Sequence, residues 1–314
     1  MAEKLIVNFE ALPIFSYESD YLSYCMHCGT YNLGHKPCVK CGEATEVSLD
    51  EVAAKTVRKH VGIRMSIALF LYALLFIISM DFMQILLATI FTGICIALNI
   101  LIYCHFKQSL VHAEMSKHIQ ANIDQIKSDL KKQMSIATKN VDEGNLVEAY
   151  DRFRYLAKLT DTEEVRTYKL ICLRNFQLRS DMPLEMNTLL QEDYNSFLID
   201  YIYEVSKLRK ELIDDATLSY IVKYKEQVLM KNRGERKLAS ILAASLRSKF
   251  LFCKYAREMP GYLKYFSKER LIRLCKLSKT LEDKELRKIL LNEVREIIGE
   301  EDAFISYYEE LEEA

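Results

Sequence analysis

MSIALFLYALLFIISMDFMQILLATIFTGICIALNILIYC, residues 65–104, decides how this chain is organised, because forty residues hold one formal charge, Asp81. As one helix the stretch would measure roughly 60 Å, about twice the hydrocarbon core of a bilayer. A carboxylate at the middle of a single span costs about 2.5–3.5 kcal/mol, whereas a hairpin sets Asp81 at the water interface. The stretch therefore predicts two spans, about Ile63–Met80 and Phe82–Cys104, with Arg64 snorkelling at the start of the first. Asp81 or Ser79 is placed to cap the second helix, where lipid offers no water to its free N–H groups. A buried hairpin in a soluble core is the competing reading, but forty apolar residues exceed what ordinary globular helices supply.

Working outward, Lys55, Arg58, Lys59 and Arg64 precede the first span and Lys107 and Lys117 follow the second, while the turn carries no basic residue. The positive-inside bias then puts both termini in the cytoplasm of a two-span integral membrane protein. Gln84 and Asn99 lie within the second span, and bonding to a neighbouring helix accounts for them without a transport pathway. On the N-terminal side, Ser48 and Glu51 match a capping box. Leu49, Val52, Thr56 and Val57 then recur at helical spacing, so a short amphipathic helix (47–62) is expected to lead into the membrane.

Further back stand Cys25, Cys28, Cys38 and Cys41, two C-x-x-C pairs, each followed by glycine: CMHCG (25–29) and CVKCG (38–42). Two intervening residues put both sulfurs of a pair on one side of a tight loop, and glycine allows the positive φ that turns the backbone. Four thiolates so placed can enclose one structural Zn²⁺ with no position open to water. An iron site, a redox dithiol or disulfides are the alternatives. His27 and His35 are nearby substitute donors but read as surface histidines beside four cysteines. The stretch YLSYCMHCGTYNLGHKPCVKCGEA (about 20–46) resembles the zinc-ribbon family, which implies two knuckles on a small β-hairpin scaffold used for protein and nucleic-acid contacts. A thiolate site needs a reducing compartment, in keeping with the charge-based orientation. The residues before it, 4–15, read as extended.

The chain has 314 residues with 43 basic against 44 acidic side chains, but its chemistry is unevenly spread. All six histidines lie at or before His118, and only Gly144, Gly234, Gly261 and Gly299 follow Phe106. The C-terminal part (107–314) thus lacks both the imidazole of most acid–base chemistry and glycine-rich phosphate loops. No catalytic or cofactor-binding residue is assigned, and the chain is not expected to be an enzyme. Few chain breakers point to an all-helical domain. Cys95 and Cys104 in the second span, and Cys172, Cys253 and Cys275 beyond it, read as small buried hydrophobes or at most as oxidation-sensitive thiols.

Ile119, Ile123, Ile126 and Leu130 suggest that the second span continues as an amphipathic helix to about Asn140, a candidate coiled-coil or homo-oligomer seam. Residues 130–163 resemble one tetratricopeptide-type repeat: Ala137 at the small position of a first helix, Gly144 at the turn, and Ala149, Phe153 and Leu156 in a second. The family's proline is replaced by Asp161, and the next 34 residues lose the pattern. One repeat is not an array, so the resemblance implies only a solenoid-like helical architecture that binds protein segments. Further helices are expected at about 162–178, opened by Asp161, then 184–192, 195–212, 216–231, 234–257, 268–278, 282–298 and 301–312. Tyr194, Phe197 and Tyr201, like Leu238, Ile241 and Leu242, are expected to face the core.

Between Lys231 and Lys276 thirteen basic residues face three acids, and the last fifteen residues carry seven acids and no base. The basic block suits anionic lipid, nucleic acid, the acidic tail, or plain solvation of helix faces. The expectation is therefore a mainly α protein: a Cys₄ ribbon with its N-terminal segment (1–46), a connector (47–62), two transmembrane helices (63–106) and a cytoplasmic helical domain (107–314). The expected function is a membrane-anchored adaptor for protein partners. A membrane effector that oligomerises through its spans and a membrane-tethered nucleic-acid binder are the alternatives.

Overall fold

The computed structural model describes residues 4–15, 17–34, 37–43, 46–78, 82–299, 301 and 304–305. It is mainly helical, with one small sheet. The chain divides into two compact units, Pro13–Lys139 and the combination of Met1–Leu12 with Asn140–Ala314.

In the first unit, β1 (Leu22–Cys25), β2 (Tyr31–Leu33) and β3 (Glu46–Ser48) form an antiparallel sheet in the order β2-β1-β3, with Tyr24 opposite both Tyr31 and Val47. Helix α1 (Leu49–Ile78) follows β3 directly; the Ser48 hydroxyl accepts the Glu51 N–H at 3.3 Å, as the capping motif predicts. The connector and the first apolar stretch form one continuous helix, whose early turns bury Leu49, Ala53 and Val57. Helix α2 (Phe82–Ala121) runs 40 residues and packs along α1, with the Tyr72 and Thr89 hydroxyls 3.0 Å apart. The capping role expected for Asp81 and Ser79 lies outside the described residues. The Asn99 amide donates to the Cys95 carbonyl of its own helix at 3.0 Å.

The helix expected to run on to Asn140 is broken at Asn122, and α3 (Ile123–Asp142) begins there. The Asn122 side chain donates to the His118 carbonyl at 2.8 Å, competing with the helical ladder, as short amides do. The buried face of α3 is Ile126, Asp129, Gln133 and Ala137, while Ile123, placed in the seam by its spacing, is 40% exposed.

The second unit opens at the end of α3. Gly144, at φ +82°, turns the chain: the Asn145 N–H reaches the Asn140 carbonyl at 2.7 Å and the Gly144 N–H that of Val141 at 3.1 Å. This is the double bond of a Schellman ending, which needs a residue at home with positive φ. Helix α4 (Leu146–Leu159) then buries Ala149, Phe153 and Leu156, the three positions singled out by the repeat-like spacing. Helix α5 (Glu163–Asn175) is capped by Thr162, whose hydroxyl accepts the Val165 N–H. Asp161, the expected cap, instead pairs with Arg166.

Helix α6 (Ser196–Leu208) is capped by the Asn195 side chain, which takes the Phe197 and Leu198 N–H groups. It buries Leu198, Ile202 and Val205, and of the expected aromatic stripe only Tyr201 is buried outright. The helix expected at 184–192 is a single tight turn at Asn187–Leu189. The one expected at 216–231 divides into α7 (Asp215–Lys223) and α8 (Lys225–Leu229), and that at 234–257 into α9 (Gly234–Leu242) and α10 (Lys249–Tyr255) with tighter turns between. Helices α11 (Lys268–Ser278) and α12 (Lys284–Ile298) agree with expectation. Of 301–312, only 301, 304 and 305 are described. Phe252, Leu263, Leu274, Leu290 and Val294 form the core here, with Leu238, Ile241 and Leu242 fully buried as expected.

Candidate metal centre

The two cysteine loops have the same construction. In the first, the Cys25 N–H donates to the Thr30 carbonyl at 3.0 Å and the Gly29 N–H to the Cys25 carbonyl at 2.9 Å. In the second, the Cys38 N–H donates to the Glu43 carbonyl at 3.0 Å and the Gly42 N–H to the Cys38 carbonyl at 2.8 Å. Gly29 and Gly42 have φ of +69° and +74°, so each glycine does what the sequence assigns to it. Two matched knuckles thus turn four sulfurs toward one point.

All four sulfurs lie within 4.8 Å of one another. Cys25 and Cys41 approach to 3.5 Å, and Cys28 and Cys38 to 3.4 Å. Both distances are far too long for a disulfide, whose sulfurs sit about 2.05 Å apart. They come close to the edge of a tetrahedron of sulfurs around zinc, about 3.8 Å for metal–sulfur bonds of about 2.3 Å. The donor set therefore fits a four-coordinate soft or borderline cation, and Cys25, Cys28, Cys38 and Cys41 would hold it. His27 is not among the donors, and His35 lies outside the described residues.

The thiols also differ in how readily they ionise. The Thr30 hydroxyl, 3.2 Å away, and the neighbouring sulfurs bring Cys28 down to about 6. Cys41 goes up to about 12: the backbone at Glu43 pulls it down, but burial and the sulfurs of Cys25, Cys38 and Cys28 outweigh this. The first thiolate forms easily and the last proton is retained, as expected where like charges share a small space. A bound dication removes that obstacle.

The small sheet and the second knuckle are fastened to the helices of their own unit by polar contacts, two of them at buried positions. The Tyr31 N–H donates to Asp129 at 3.1 Å, and the Gln133 amide donates to Asn32 at 3.2 Å. Asn32 in turn accepts the Val39 N–H of the second knuckle at 3.3 Å. The Gln125 amide reaches the Gly29 carbonyl at 2.6 Å, the Tyr31 hydroxyl lies 3.0 Å from His118 Nε2, and Tyr17 stacks on His112. Sequence patterning missed Asp129 and Gln133, since polar residues on a buried face blur a hydrophobic stripe. The available signal was their i, i+4 spacing with Ile126 and Ala137 on the same face.

Elsewhere, Cys172 and Cys275 are buried, and burial pushes both thiols up to about 12. Cys104 and Cys253, expected to be buried, are exposed, Cys253 beside the Thr280 hydroxyl at 3.6 Å. Much of the basic block binds within the fold: Lys237 to Asp200, Lys254 to Asp215, Arg257 to Asp283, Lys264 to Glu235, and Arg273 to the Leu246 and Arg247 carbonyls. Lys268 pairs with Glu301 at the edge of the acidic tail.

The helices α1 and α2 are long and apolar enough to cross a membrane. In the most apolar 18-residue window of each, 0% and 6% of the residues are buried in the protein. No family model, curated protein or solved structure matches the chain.

Proposed function

We propose that the chain is a membrane-anchored adaptor, with a zinc ribbon clamped to the water-side ends of a two-helix anchor and a helical domain that binds protein segments. The observation that carries the reading is the bare apolar surface of α1 and α2: Phe70, Phe76, Leu87, Phe91 and Leu101 are all more than half exposed. At about 25 cal/mol per Å² of apolar surface, leaving two such helices in water is untenable. Lipid covers them without any further protein. The basic flanks favour a cytoplasmic location for both termini. Cys₄ donors, matched knuckles and closed coordination favour zinc in a structural role, cross-linking β1, the second knuckle and, through Tyr31 and Asn32, α3. Helix α4, which buries Ala149, Phe153 and Leu156 at tetratricopeptide-like spacing and packs on α5, favours the protein-binding role.

Fractionation tests the anchor: the chain should stay with membranes through alkaline carbonate and leave them only in detergent, with both ends cleaved from the same face of sealed vesicles. A chain soluble without detergent, or ends cleaved from opposite faces, would overturn the reading. Affinity capture from solubilised membranes, comparing wild type with Cys25→Ser/Cys28→Ser and with a truncation after Lys107, then tells which part recruits a partner.

A further inference from the structure

Residues 4–10 do not belong to the ribbon they precede. They lie extended across the helical unit, held as a bound peptide is held. The Leu5 N–H donates to the Asn175 carbonyl and the Leu5 carbonyl accepts the Gln177 N–H, both at 2.8 Å, making a parallel bridge to Phe176. Side chains alternate: Val7 is buried, Phe9 is half-buried, and Ile6 is 72% exposed. Phe9 meets Tyr150 edge-on at 4.9 Å and Phe176 at 5.5 Å. Lys4 pairs with Glu204 at 2.7 Å, and Arg179 donates to Asn8. Arg154, only 3% exposed on α4, donates to the Glu10 carbonyl at 2.7 Å, with its guanidinium over the Phe9 ring.

These contacts divide into two kinds. Leu5 and Glu10 are read through main-chain groups that any extended segment presents, and Val7 and Phe9 fill apolar sites on alternate positions. That is the logic of strand-addition peptide recognition. Arg154, paired with Asp151 on its own helix at 3.7 Å, turns a second guanidinium nitrogen to a backbone carbonyl, a group that any extended ligand presents. We propose that this surface is the helical domain's peptide-binding groove. Residues 4–10 fill it in cis, and an extended partner segment with an aliphatic and an aromatic residue two apart, as in Val7-x-Phe9, takes their place. Tethered, the internal segment acts at an effective concentration of about millimolar, so a partner engages only when it competes above that level. The inference deepens the adaptor reading and rests on it only for the helical domain being the binder.

The test uses the full chain in detergent with a protease site inserted between Leu12 and Pro13, which leaves the strap sequence intact. After cleavage, a labelled peptide of residues 4–12 should bind saturably, while a scrambled peptide and one carrying Val7→Asp/Phe9→Ala should not. Arg154→Gln should weaken binding about tenfold, and the uncleaved chain should bind far less. No preference over the scrambled peptide, with native helical circular dichroism, overturns the proposal. So does collapse of that signal on cleavage, since the strap is then a permanent part of the core. Peptide exchange by a cleaved chain that itself captures no partner from solubilised membranes would sink the adaptor reading and leave the groove standing.

Discussion

Two residues carry consequences that their identity alone would not suggest. Gly234 opens α9 against the backbone of α8: a Cβ there would stand 2.2 Å from the Val228 carbonyl oxygen and 2.8 Å from the Leu229 Cα. Neither neighbour is a flexible side-chain end, so Gly234→Ala should cost about 1–3 kcal/mol or more, measured as a fall in the thermal midpoint of the helical signal. An unchanged midpoint would mean that α8 and α9 do not pack this closely. Glu185 is the second. Its carboxylate takes the fully buried Lys169 ammonium at 2.6 Å and the Thr188 hydroxyl at 2.7 Å, while its carbonyl accepts the Tyr201 hydroxyl at 2.7 Å. Burial would raise the Glu185 carboxyl, but Lys169 and Thr188 overcome it and hold it below the usual 4.5. A depressed carboxyl contributes stability that is fully present above 4.5 and is lost as pH falls through the lower, folded value. Glu185→Gln reproduces the protonated state at every pH. It should cost about 3 kcal/mol at neutral pH, by leaving Lys169 buried without a counter-charge, and should flatten the acid limb below 4.5. Lys169→Met should cost much less, since a part-exposed carboxylate can be hydrated. Equal losses from the two variants would refute this asymmetry.

At the scale of elements, the proposed ribbon and anchor would be separate causes of order. Chelation, or Cys38→Ser/Cys41→Ser, should unfold the knuckles and free Tyr31 and Asn32 from α3, yet leave the helical circular dichroism close to native. Thiolates must shed protons to bind, so acid should release the metal and alkali should not. Elemental analysis across pH checks the sign, and metal retained equally at all pH values would argue against thiolate ligation. What the sequence made legible follows from the same division. The four-cysteine cluster and the apolar helix pair were readable because each rests on local chemistry, C-x-x-C-G repeated and forty residues without a balancing charge. So was the turn at Gly144, where a single backbone conformation demands one residue type. The buried face of α3 was not readable, because Asp129 and Gln133 are buried to serve strand groups about a hundred positions earlier. The breaks within 216–231, at Tyr224, and within 234–257, at Ala243–Ser248, were hidden because no glycine or proline marks either of them.

Across the whole molecule, the covalent chain passes from one compact unit into the other and back. Its first residues are packed in one unit, the next 127 in the other, and the remainder in the first again, so residues 4–10 and the helical domain share a unit while the cysteine cluster and the two apolar helices stand between them in sequence. Release of residues 4–10 is then a local event: it breaks one β-bridge, the Phe9 contacts, the Arg154 and Arg179 bonds and the Lys4–Glu204 pair, none of them made by a cysteine. Phe9→Ala should therefore lower the midpoint of the helical domain modestly, by about 1–2 kcal/mol for a half-buried aromatic, without altering metal content or membrane retention. Calorimetry beside elemental analysis and carbonate extraction measures all three on one preparation. Loss of metal together with the strap would show that the units unfold as one, and the division of labour between clamp, anchor and groove would have to be abandoned.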